Sequence, residues 1–284
     1  MTDLAVIILA KNEKLHIARC LEKLGPLVPE QIFIVDCFST DGTREIAGKV
    51  SVSLNLDVNI VEREWPGFYA KQFNWALDNL PIKTQWVLRL DADEYLYPDT
   101  IEEIKALLPK RVGNEAVRGN LPPDVTSLSL SLSRRFWQRD IRFGGRELKL
   151  VRIFKYGIGR CQDRAMDEHV ITSCGRNMEL KGKFVDDNLN SREWWKEKHR
   201  GYAKREAMDA IDAKKFKRSK TLYYACPPYF RAFAYFCWRY FVRLGFLDGR
   251  GGWQWNFWQG LWYRWLVDRT IGKIKREMRS GRKS

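Results

Sequence analysis

The chain has 284 residues, of which 45% are apolar and 30% charged, and this is enough to bury a full hydrophobic core. Its net charge of +15 lies entirely in the last 94 residues, because Lys and Arg balance the acids at 27 each up to residue 190 and number 23 against 8 afterwards. Six scattered cysteines and three histidines argue against a zinc site or a disulfide framework. With no basic leader and no run of about 18 apolar residues, we expect a cytoplasmic protein without a transmembrane helix.

Alternating strands and helices are predicted over the first third of the chain. Short apolar runs rich in β-branched residues predict strands at Leu4–Leu9, Gln31–Val35, Asn59–Val61 and Gln85–Leu90. The helical spacing of apolar residues predicts helices at Asn12–Leu24, Thr43–Val50 and Phe68–Leu80. This alternation is typical of an α/β fold with a mostly parallel sheet and helices on both faces. Ligands of such sheets bind at the carboxyl ends of the strands, so the polar residues that follow each strand are candidate site residues.

The rest of the chain changes character near residue 190. The elements predicted there are a helix and a polar loop between Pro98 and Pro123, strands at Ser127–Phe136 and Lys149–Phe154, a polar helix at Ser191–Ala213 and a basic linker at Lys214–Lys220. Of the chain's 38 aromatic residues, 18 fall between Thr221 and Trp265. We therefore predict a first domain at residues 1–190 and a helical, basic and aromatic extension at residues 191–284.

The segment after the second strand reads Asp36-Cys-Phe-Ser-Thr-Asp-Gly-Thr43. A carboxylate at a strand end can accept hydrogen bonds from a base or a ribose. Ser39, Asp41 and Thr43 can cap the following helix, and Gly42 permits a tight turn. An ordinary capped turn accounts for this segment equally well.

The segment after the fourth strand reads Leu88-Arg-Leu-Asp-Ala-Asp-Glu94. Asp91 and Asp93 lie on the same side of an extended chain, where their carboxylates repel each other unless a cation lies between them. Mg²⁺ and Mn²⁺ take hard oxygen ligands and keep open positions that a diphosphate can complete. We therefore predict a divalent cation at this strand end, with a surface acidic turn as the alternative.

Four segments together resemble family 2 glycosyltransferases of the GT-A fold in their order and spacing. They are Ile8-Leu-Ala-Lys-Asn-Glu13, Val35-Asp-Cys-Phe-Ser-Thr-Asp-Gly-Thr43, Lys71-Gln-Phe-Asn74 and Asp91-Ala-Asp93. The resemblance covers about Met1–Asp187, and Leu244-Gly-Phe-Leu-Asp-Gly249 is similar to the bacterial branch that decorates lipopolysaccharide core or builds surface polysaccharide. The family implies a nucleotide-sugar donor, with a UDP-sugar favoured, a divalent metal, and inversion at the anomeric carbon.

The resemblance also implies roles for individual residues. The implied nucleotide-sugar-binding residues are Ala10, Lys11, Asn12, Glu13, Asp36, Ser39, Lys71, Asn74 and Asp91. Asp93 is the implied metal ligand, with Asp91 contacting the ribose or the metal. Many relatives carry a second acid directly after the first, where this chain has Cys37, so the resemblance implies base recognition less firmly than metal binding.

The segment Met166-Asp-Glu-His-Val170 carries the candidate general base. Inverting transfer needs a carboxylate that takes the proton of the acceptor hydroxyl, and the family places an acid at about this point in the chain. Asp167 and Glu168 both qualify, and we favour Glu168. His169 either completes the metal sphere or binds a phosphate, unless it is a structural hydrogen-bonding residue.

The helix around Trp194–Arg205 is a candidate acceptor-binding element. At helical spacing Trp195 lies beside His199, and Lys198 beside Tyr202. Stacked aromatic rings suit the faces of sugars and cations suit a diphosphate. The alternative is a solvated basic helix whose tryptophans pack on the core.

The aromatic segment contains Arg231, Arg239 and Arg243, which fall at about 0°, 80° and 120° around a helix and form one polar stripe. A helix this apolar suits the interface of a bilayer, and the Lys273–Lys283 end can contact anionic headgroups. We therefore predict a peripheral protein on the cytoplasmic face of the inner membrane with a lipid-linked saccharide acceptor. The alternative is that the aromatic residues close a helical subdomain or a dimer interface.

Two other functions are compatible with parts of the chain. Basic charge interleaved with aromatic residues is also typical of single-strand nucleic-acid-binding proteins, but this leaves the neutral first 190 residues unexplained, and we expect no nucleic acid. Nucleotidyltransferases share the parallel sheet and the paired aspartates. They usually carry a Gly-rich basic loop after the first strand, where this chain has Ala10-Lys-Asn-Glu13.

Overall fold

A computed structural model describes residues 1–112, 115–162, 169–211 and 223–280. The chain divides into two compact units, and we name them the N-terminal unit (Met1–Arg134 with Glu147–Leu189) and the C-terminal unit (Arg135–Arg146 with Asn190–Ser284). The predicted division at residue 190 assigned Arg135–Arg146 to the first domain, whereas the structure groups this segment with the C-terminal unit.

The strands and helices appear in the predicted order. The described strands are β1 (Thr2–Ala10), β2 (Pro29–Asp36), β3 (Val58–Glu62), β4 (Trp86–Asp91), β5 (Glu94–Leu96), β6 (Lys110–Val112), β7 (Glu115–Val117), β8 (Val125–Phe136), β9 (Arg139–Ile141), β10 (Lys149–Lys155), β11 (Gly159–Cys161), β12 (Val170–Thr172) and β13 (Arg176–Asp187). The described helices are α1 (Ile17–Leu24), α2 (Thr43–Leu54), α3 (Tyr69–Asn79), α4 (Pro98–Leu107), α5 (Arg192–Ile211), α6 (Phe230–Cys237), α7 (Gly249–Trp255) and α8 (Tyr263–Ser280).

The main sheet has a parallel half and an antiparallel half. Its main path runs β3-β2-β1-β4-β10-β8-β13-β5. The four strands from β3 to β4 are parallel to one another, whereas β10 runs antiparallel to both β4 and β8. The predicted α/β fold with a mixed second half is confirmed. Because β1 has parallel partners on both sides, the carboxyl ends of β1, β2 and β4 meet at one edge of the sheet.

Helices cover both faces of the sheet, as predicted. Every residue of β1 is buried, and its side chains alternate between two cores. Val6 and Ile8 pack with residues of α1, α2 and α4, whereas Ile7 and Leu9 pack with α3. A continuous apolar run in the sequence therefore corresponds to a strand that is buried on both sides.

Helix α1 begins at Ile17 rather than at the predicted Asn12. Asn12 has a φ of +56°, which lies outside the helical region. Its backbone N–H donates to Oγ of Ser39 at 2.7 Å, and the N–H of Glu13 donates to Oγ1 of Thr43 at 2.8 Å. Residues 12–14 are therefore held by the loop after β2, and the helix starts only beyond them.

The C-terminal unit is helical, as predicted. Ala203 and Ala207 of α5 pack against Val267 and Ile271 of α8. Helix α6 continues into a π-helical turn at Trp238–Val242. No helix within the described ranges is long and apolar enough to cross a membrane.

The Leu244–Gly249 stretch holds the Arg135–Arg146 segment within the C-terminal unit. Oδ2 of Asp248 accepts hydrogen bonds from the backbone N–H groups of Arg142 and Phe143 at 2.9 and 2.8 Å. The N–H of Gly144, a glycine with a φ of +75°, donates to the carbonyl of Arg243 at 2.9 Å. These contacts between residues about 100 positions apart explain why the segment groups with the C-terminal unit.

The predicted polar stripe of arginines is not a solvent-facing stripe. Arg231 and Arg239 are each only 5% exposed, and only Arg243 is exposed. Arg231 forms a buried ion pair with Asp268, and Nε of Arg239 donates to the carbonyl of Gly144 at 2.8 Å. The charged side of this helix therefore faces the interior of the C-terminal unit, because each buried guanidinium has an acceptor there.

Candidate functional site

The loops after β1 and β2 form one hydrogen-bonded structure. Asp36 is fully buried, and its carboxylate accepts hydrogen bonds from the backbone N–H of Ser39 at 2.7 Å and from its hydroxyl at 2.5 Å. Oδ1 of Asn12 accepts from the N–H of Thr40 at 2.9 Å. Asp36 and Ser39 lie at the expected strand end, but their described hydrogen bonds hold the loop together.

Asp41 joins the same two loops through further hydrogen bonds, and Glu13 contacts a buried histidine within the loop after β1. The carboxylate of Asp41 accepts from the N–H groups of Lys14 and Thr43, both at 3.1 Å. Partial burial raises the pKa of Asp41, but the hydrogen bonds from Thr43 and Lys14 outweigh it and hold this pKa below its usual value. Glu13 lies 2.5 Å from Nδ1 of the buried His16. The N-cap residue of α2 is Gly42, and no side chain caps the helix at that position. The Asp41 carboxylate instead ties the β2 loop to the β1 loop through Thr43 and Lys14.

Two predicted nucleotide-binding lysines lie over aromatic rings. Nζ of Lys11 is 5.7 Å from the ring centroid of Trp65, which itself contacts Tyr69 edge-on at 4.8 Å. Nζ of Lys71 is 4.6 Å from the ring centroid of Phe68. Both lysine residues are exposed. These aromatic residues were not among the predicted site residues, although the Trp65–Tyr69 stretch carries three aromatic rings in five positions.

Asn74, predicted to bind the nucleotide, forms hydrogen bonds with the protein backbone instead. Its Nδ2 donates to the carbonyl of Cys161 at 2.9 Å, and its Oδ1 accepts from the N–H of Cys161, also at 2.9 Å. This amide therefore joins α3 to β11 across 87 residues of sequence. Both side-chain groups are engaged with the backbone, so a nucleotide contact by Asn74 stays a prediction.

Asn74→Ala is expected to lower the free energy of unfolding by about 2 kcal/mol, because it removes two hydrogen bonds between this side chain and the backbone of Cys161. The measurement is urea unfolding of both proteins. Asn79→Ala is the matched control, since Nδ2 of that exposed residue bonds only to Trp75 within the described part of the same helix. Unchanged stability with strongly weakened nucleotide binding would show instead that Asn74 serves the nucleotide.

The end of β4 carries the predicted acidic pair. Oδ1 of Asp91 is buried and accepts no hydrogen bond from any residue that the structure describes, although Nη2 of Arg89 lies 3.9 Å away. Oδ2 of Asp93 accepts from Nδ2 of Asn188 at 2.9 Å. A buried carboxylate oxygen without a hydrogen-bond donor is costly, and a positively charged ligand would offset the cost of its burial.

A third acid, Glu94, contacts the backbone of Asp91 and was not among the predicted site residues. Its Oε2 accepts from the N–H of Asp91 at 3.0 Å, and its Oε1 lies 2.5 Å from Nη2 of Arg152. Burial raises the pKa of Glu94 to about 8, Arg152 opposes this, and Asp91 adds to it. The one available sequence signal was Arg152, a charged residue within the otherwise apolar run of β10.

Arg19 fixes the chain that runs behind Asp93. Its Nη1 donates to Oδ2 of the buried Asp187 at 2.7 Å, and its Nη2 donates to the Asp187 carbonyl at 2.5 Å. The N–H of Asp187 in turn donates to the carbonyl of Asp93 at 3.2 Å. The end of β13 therefore positions both Asp93 and Asn188.

The residues at the end of β4 fit a divalent cation. Asp91 and Asp93 supply hard oxygen donors, and the buried Oδ1 of Asp91 has no described hydrogen-bond donor. Across the described ranges, no three His, Cys, Asp or Glu side chains form a metal-binding group, so the structure does not bring the exposed His169 together with the two aspartates. Metal ligation by His169 stays a prediction. Asp167 and Glu168 lie outside the described residues.

Two of the predicted acceptor-binding residues are inside the C-terminal unit. Trp195 and His199 are buried, with their rings stacked at 3.6 Å. Nδ1 of His199 donates to the carbonyl of Trp195 at 2.8 Å, and burial lowers the pKa of His199 to about 4. This histidine is therefore neutral at physiological pH and is not a cation for a diphosphate. Lys198 and Tyr202 are partly exposed, and acceptor binding by these two residues stays a prediction.

Comparison with known proteins identifies one family. The family model described as glycosyl transferase family 2 matches residues 5–152, just over half of the chain. An uncharacterized glycosyltransferase of Rickettsia felis is 31% identical over 105 residues, which cover 37% of this chain and 34% of that protein. A second, from Rickettsia conorii, is 33% identical over 102 residues, covering 36% and 33%. The chain thus spans about a third of the length of these curated relatives.

Solved structures are also similar to this chain. The crystal structure of S. aureus TarS residues 1–349 is 16% identical, with a TM-score of 0.40 over 99% of this chain and 92% of that chain. The same protein in complex with UDP has a TM-score of 0.41 at the same identity and coverage.

Proposed function

We propose that this chain, which belongs to glycosyl transferase family 2, transfers a sugar from a nucleotide-sugar donor, with a UDP-sugar favoured, to a hydroxyl group of a lipid-linked saccharide. The observation that carries this proposal is the carboxyl edge of the parallel strands. Asp91 and Asp93 end β4 there, and the joined loops that contain Asp36 and Asn12 end β2 and β1. Nucleotides bind at this edge in parallel α/β sheets.

Asp91 and Asp93 would hold Mg²⁺ or Mn²⁺ in this reaction. The bound cation supplies positive charge that stabilises the departing nucleoside diphosphate. Lys11 and Lys71 are exposed and would attract the phosphates, while the neighbouring aromatic rings offer an apolar surface to the base. The Glu94–Arg152 pair and Asn188 would keep the two aspartates oriented.

Asp167 or Glu168 would act as the general base. The carboxylate accepts the proton of the acceptor hydroxyl while the oxygen of that hydroxyl attacks the anomeric carbon. The bond from this carbon to the diphosphate breaks on the opposite face, which inverts the configuration. The support for this role is the acidic pair of the Met166–Val170 segment, with Glu168 favoured.

Glu168→Gln or Asp167→Asn should lower kcat by at least about a hundredfold with donor affinity little changed. We expect only one of the two variants to do so, because only one carboxylate can face the acceptor. The measurement is steady-state transfer together with nucleotide-sugar binding for each variant. Asp163→Asn, an acid of the same stretch, is the control. Near-normal kcat in both variants would mean that the base lies elsewhere.

The lipid-linked acceptor is either lipopolysaccharide core or a polyprenyl-diphosphate glycan, used at the cytoplasmic face of the inner membrane. Its support is the Leu244–Gly249 stretch and the concentration of the whole +15 charge in residues 191–284. An anionic membrane surface attracts such a charge.

A donor screen tests the proposed reaction. The full chain is incubated with UDP-, GDP- and ADP-sugars, Mn²⁺ and a bacterial membrane extract, and the released nucleotide is identified. We expect release of UDP that depends on the extract. Release of pyrophosphate from a nucleoside triphosphate and a sugar phosphate would identify a nucleotidyltransferase instead.

A further inference from the structure

The C-terminal unit exposes a set of large apolar side chains around α6 and the turn that follows it. The members of this apolar face are 43–69% exposed, and they are Phe230, Phe233, Phe241, Val242, Phe246 and Leu247. Tyr240 joins the turn to the segment after it, since its ring lies 5.2 Å from that of Phe241 and 6.2 Å from that of Phe246. An exposed apolar surface of this kind marks a binding site, because leaving it in water costs free energy.

The apolar face is exposed because the arginines of the same helix are turned inward. Arg231 donates through Nε to Oδ1 of Asp268 at 2.9 Å and through Nη1 to the carbonyl of Tyr224, also at 2.9 Å. The buried guanidinium groups of Arg231 and Arg239 fix the rotation of the helix about its axis. A rotation that exposed Arg231 to water would leave the buried carboxylate of Asp268 without this charge partner. The rotation that satisfies the arginines is the one that exposes Phe230 and Phe233.

Aromatic residues join the apolar face to a row of cations. Tyr229, next to Phe230, has its ring 5.9 Å from that of Trp265, and the guanidinium of Arg269 lies 5.5 Å from the Trp265 ring. Arg269, Lys273 and Arg276 then follow along α8 at helical spacing and line a cavity of about 410 Å³. We call these three residues the basic row. The same order is found in proteins that bind at a bilayer interface. Their apolar side chains lie toward the acyl chains, Tyr and Trp lie at the interface, and Lys and Arg contact the headgroups.

We propose that the C-terminal unit docks onto an anionic bilayer, with the apolar face inserted among the acyl chains near the headgroups and the basic row on the lipid phosphates. Charge complementarity selects this occupant. Residues 191–284 carry 23 cations against 8 acids, which favours an anionic surface and opposes a second copy of the same unit. This inference rests on the proposed function only in that a lipid-linked acceptor gives the docking its purpose.

The test is flotation of the full chain with phosphatidylcholine vesicles, with and without phosphatidylglycerol. We expect strong binding only with phosphatidylglycerol. Phe230→Ser/Phe233→Ser should lower the partition coefficient at least about tenfold. Val52→Ser/Leu54→Ser, which removes two exposed apolar side chains of α2, is the matched control and should bind as the original protein does. Near-UV circular dichroism checks that each variant is folded.

The basic row predicts a second, separable effect. Arg269→Gln/Lys273→Gln/Arg276→Gln should lower binding to anionic vesicles about a hundredfold and weaken its dependence on salt. Asp93→Asn should float like the original protein, because it changes no residue of the docking surface. If the unmodified chain floats but releases no nucleotide in the donor screen, the proposed enzyme is rejected and the docking surface is kept.

Three results would overturn the proposal. The first is a full chain that stays unbound to phosphatidylglycerol vesicles at low salt. The second is a Phe230→Ser/Phe233→Ser variant that floats like the original protein. The third is a chain that is dimeric without lipid and becomes monomeric in this variant, because the apolar face would then be covered by a second copy.

Discussion

Asp93→Asn is expected to lower the rate of sugar transfer by at least about a thousandfold while leaving the fold intact. Asparagine keeps the size of the side chain and an oxygen that can accept the hydrogen bond from Asn188. It removes one of the two negative charges with which Asp91 and Asp93 would hold the proposed divalent cation. The measurement is nucleotide release during transfer, with circular dichroism as the check on folding.

Two controls separate metal binding from a general loss of charge. Asp124→Asn, which changes an exposed acid paired with Arg176, should retain full activity. EDTA should abolish the activity of the unmodified chain, and added Mn²⁺ or Mg²⁺ should restore it. Transfer that survives exhaustive EDTA treatment would show that Asp91 and Asp93 serve another purpose.

Asp268→Ala is expected to destabilise the C-terminal unit by about 3–5 kcal/mol, the largest effect on stability that we predict. Asp268 accepts from Arg231 and from the N–H of Tyr229 at 2.8 Å, and it is only 4% exposed. Its removal leaves the Arg231 guanidinium buried without this charge partner. Nine of the chain's 12 tryptophans lie in the C-terminal unit, so tryptophan fluorescence during urea unfolding reports on this unit.

The double variant Arg231→Met/Asp268→Leu should recover much of the lost stability, because two apolar side chains can replace a buried ion pair. Glu197→Ala is the surface control, since its pair with Arg200 is exposed and should contribute less than about 1 kcal/mol. A loss of that small size in Asp268→Ala would mean that the pair does not determine how α6 is rotated.

The sequence by itself determined the order of elements and the location of the acidic pair. Apolar runs such as Leu4–Leu9 are long enough only for strands, and their burial on both faces requires the alternating helices. Asp91 and Asp93 follow such a run directly, so they had to lie at the sheet edge. These conclusions depend only on residues that are close together in the sequence, and the local pattern of apolar and polar residues is enough to predict them.

Only the tertiary structure decided which polar groups are partners. Asn74 bonds to Cys161, Glu94 pairs with Arg152, and Arg231 pairs with Asp268. Each pair is separated by 37 to 87 residues of sequence. A helical pattern reports that three arginines share a side, but not whether that side faces water. The answer depends on a carboxylate elsewhere in the chain that compensates the cost of burying the charge.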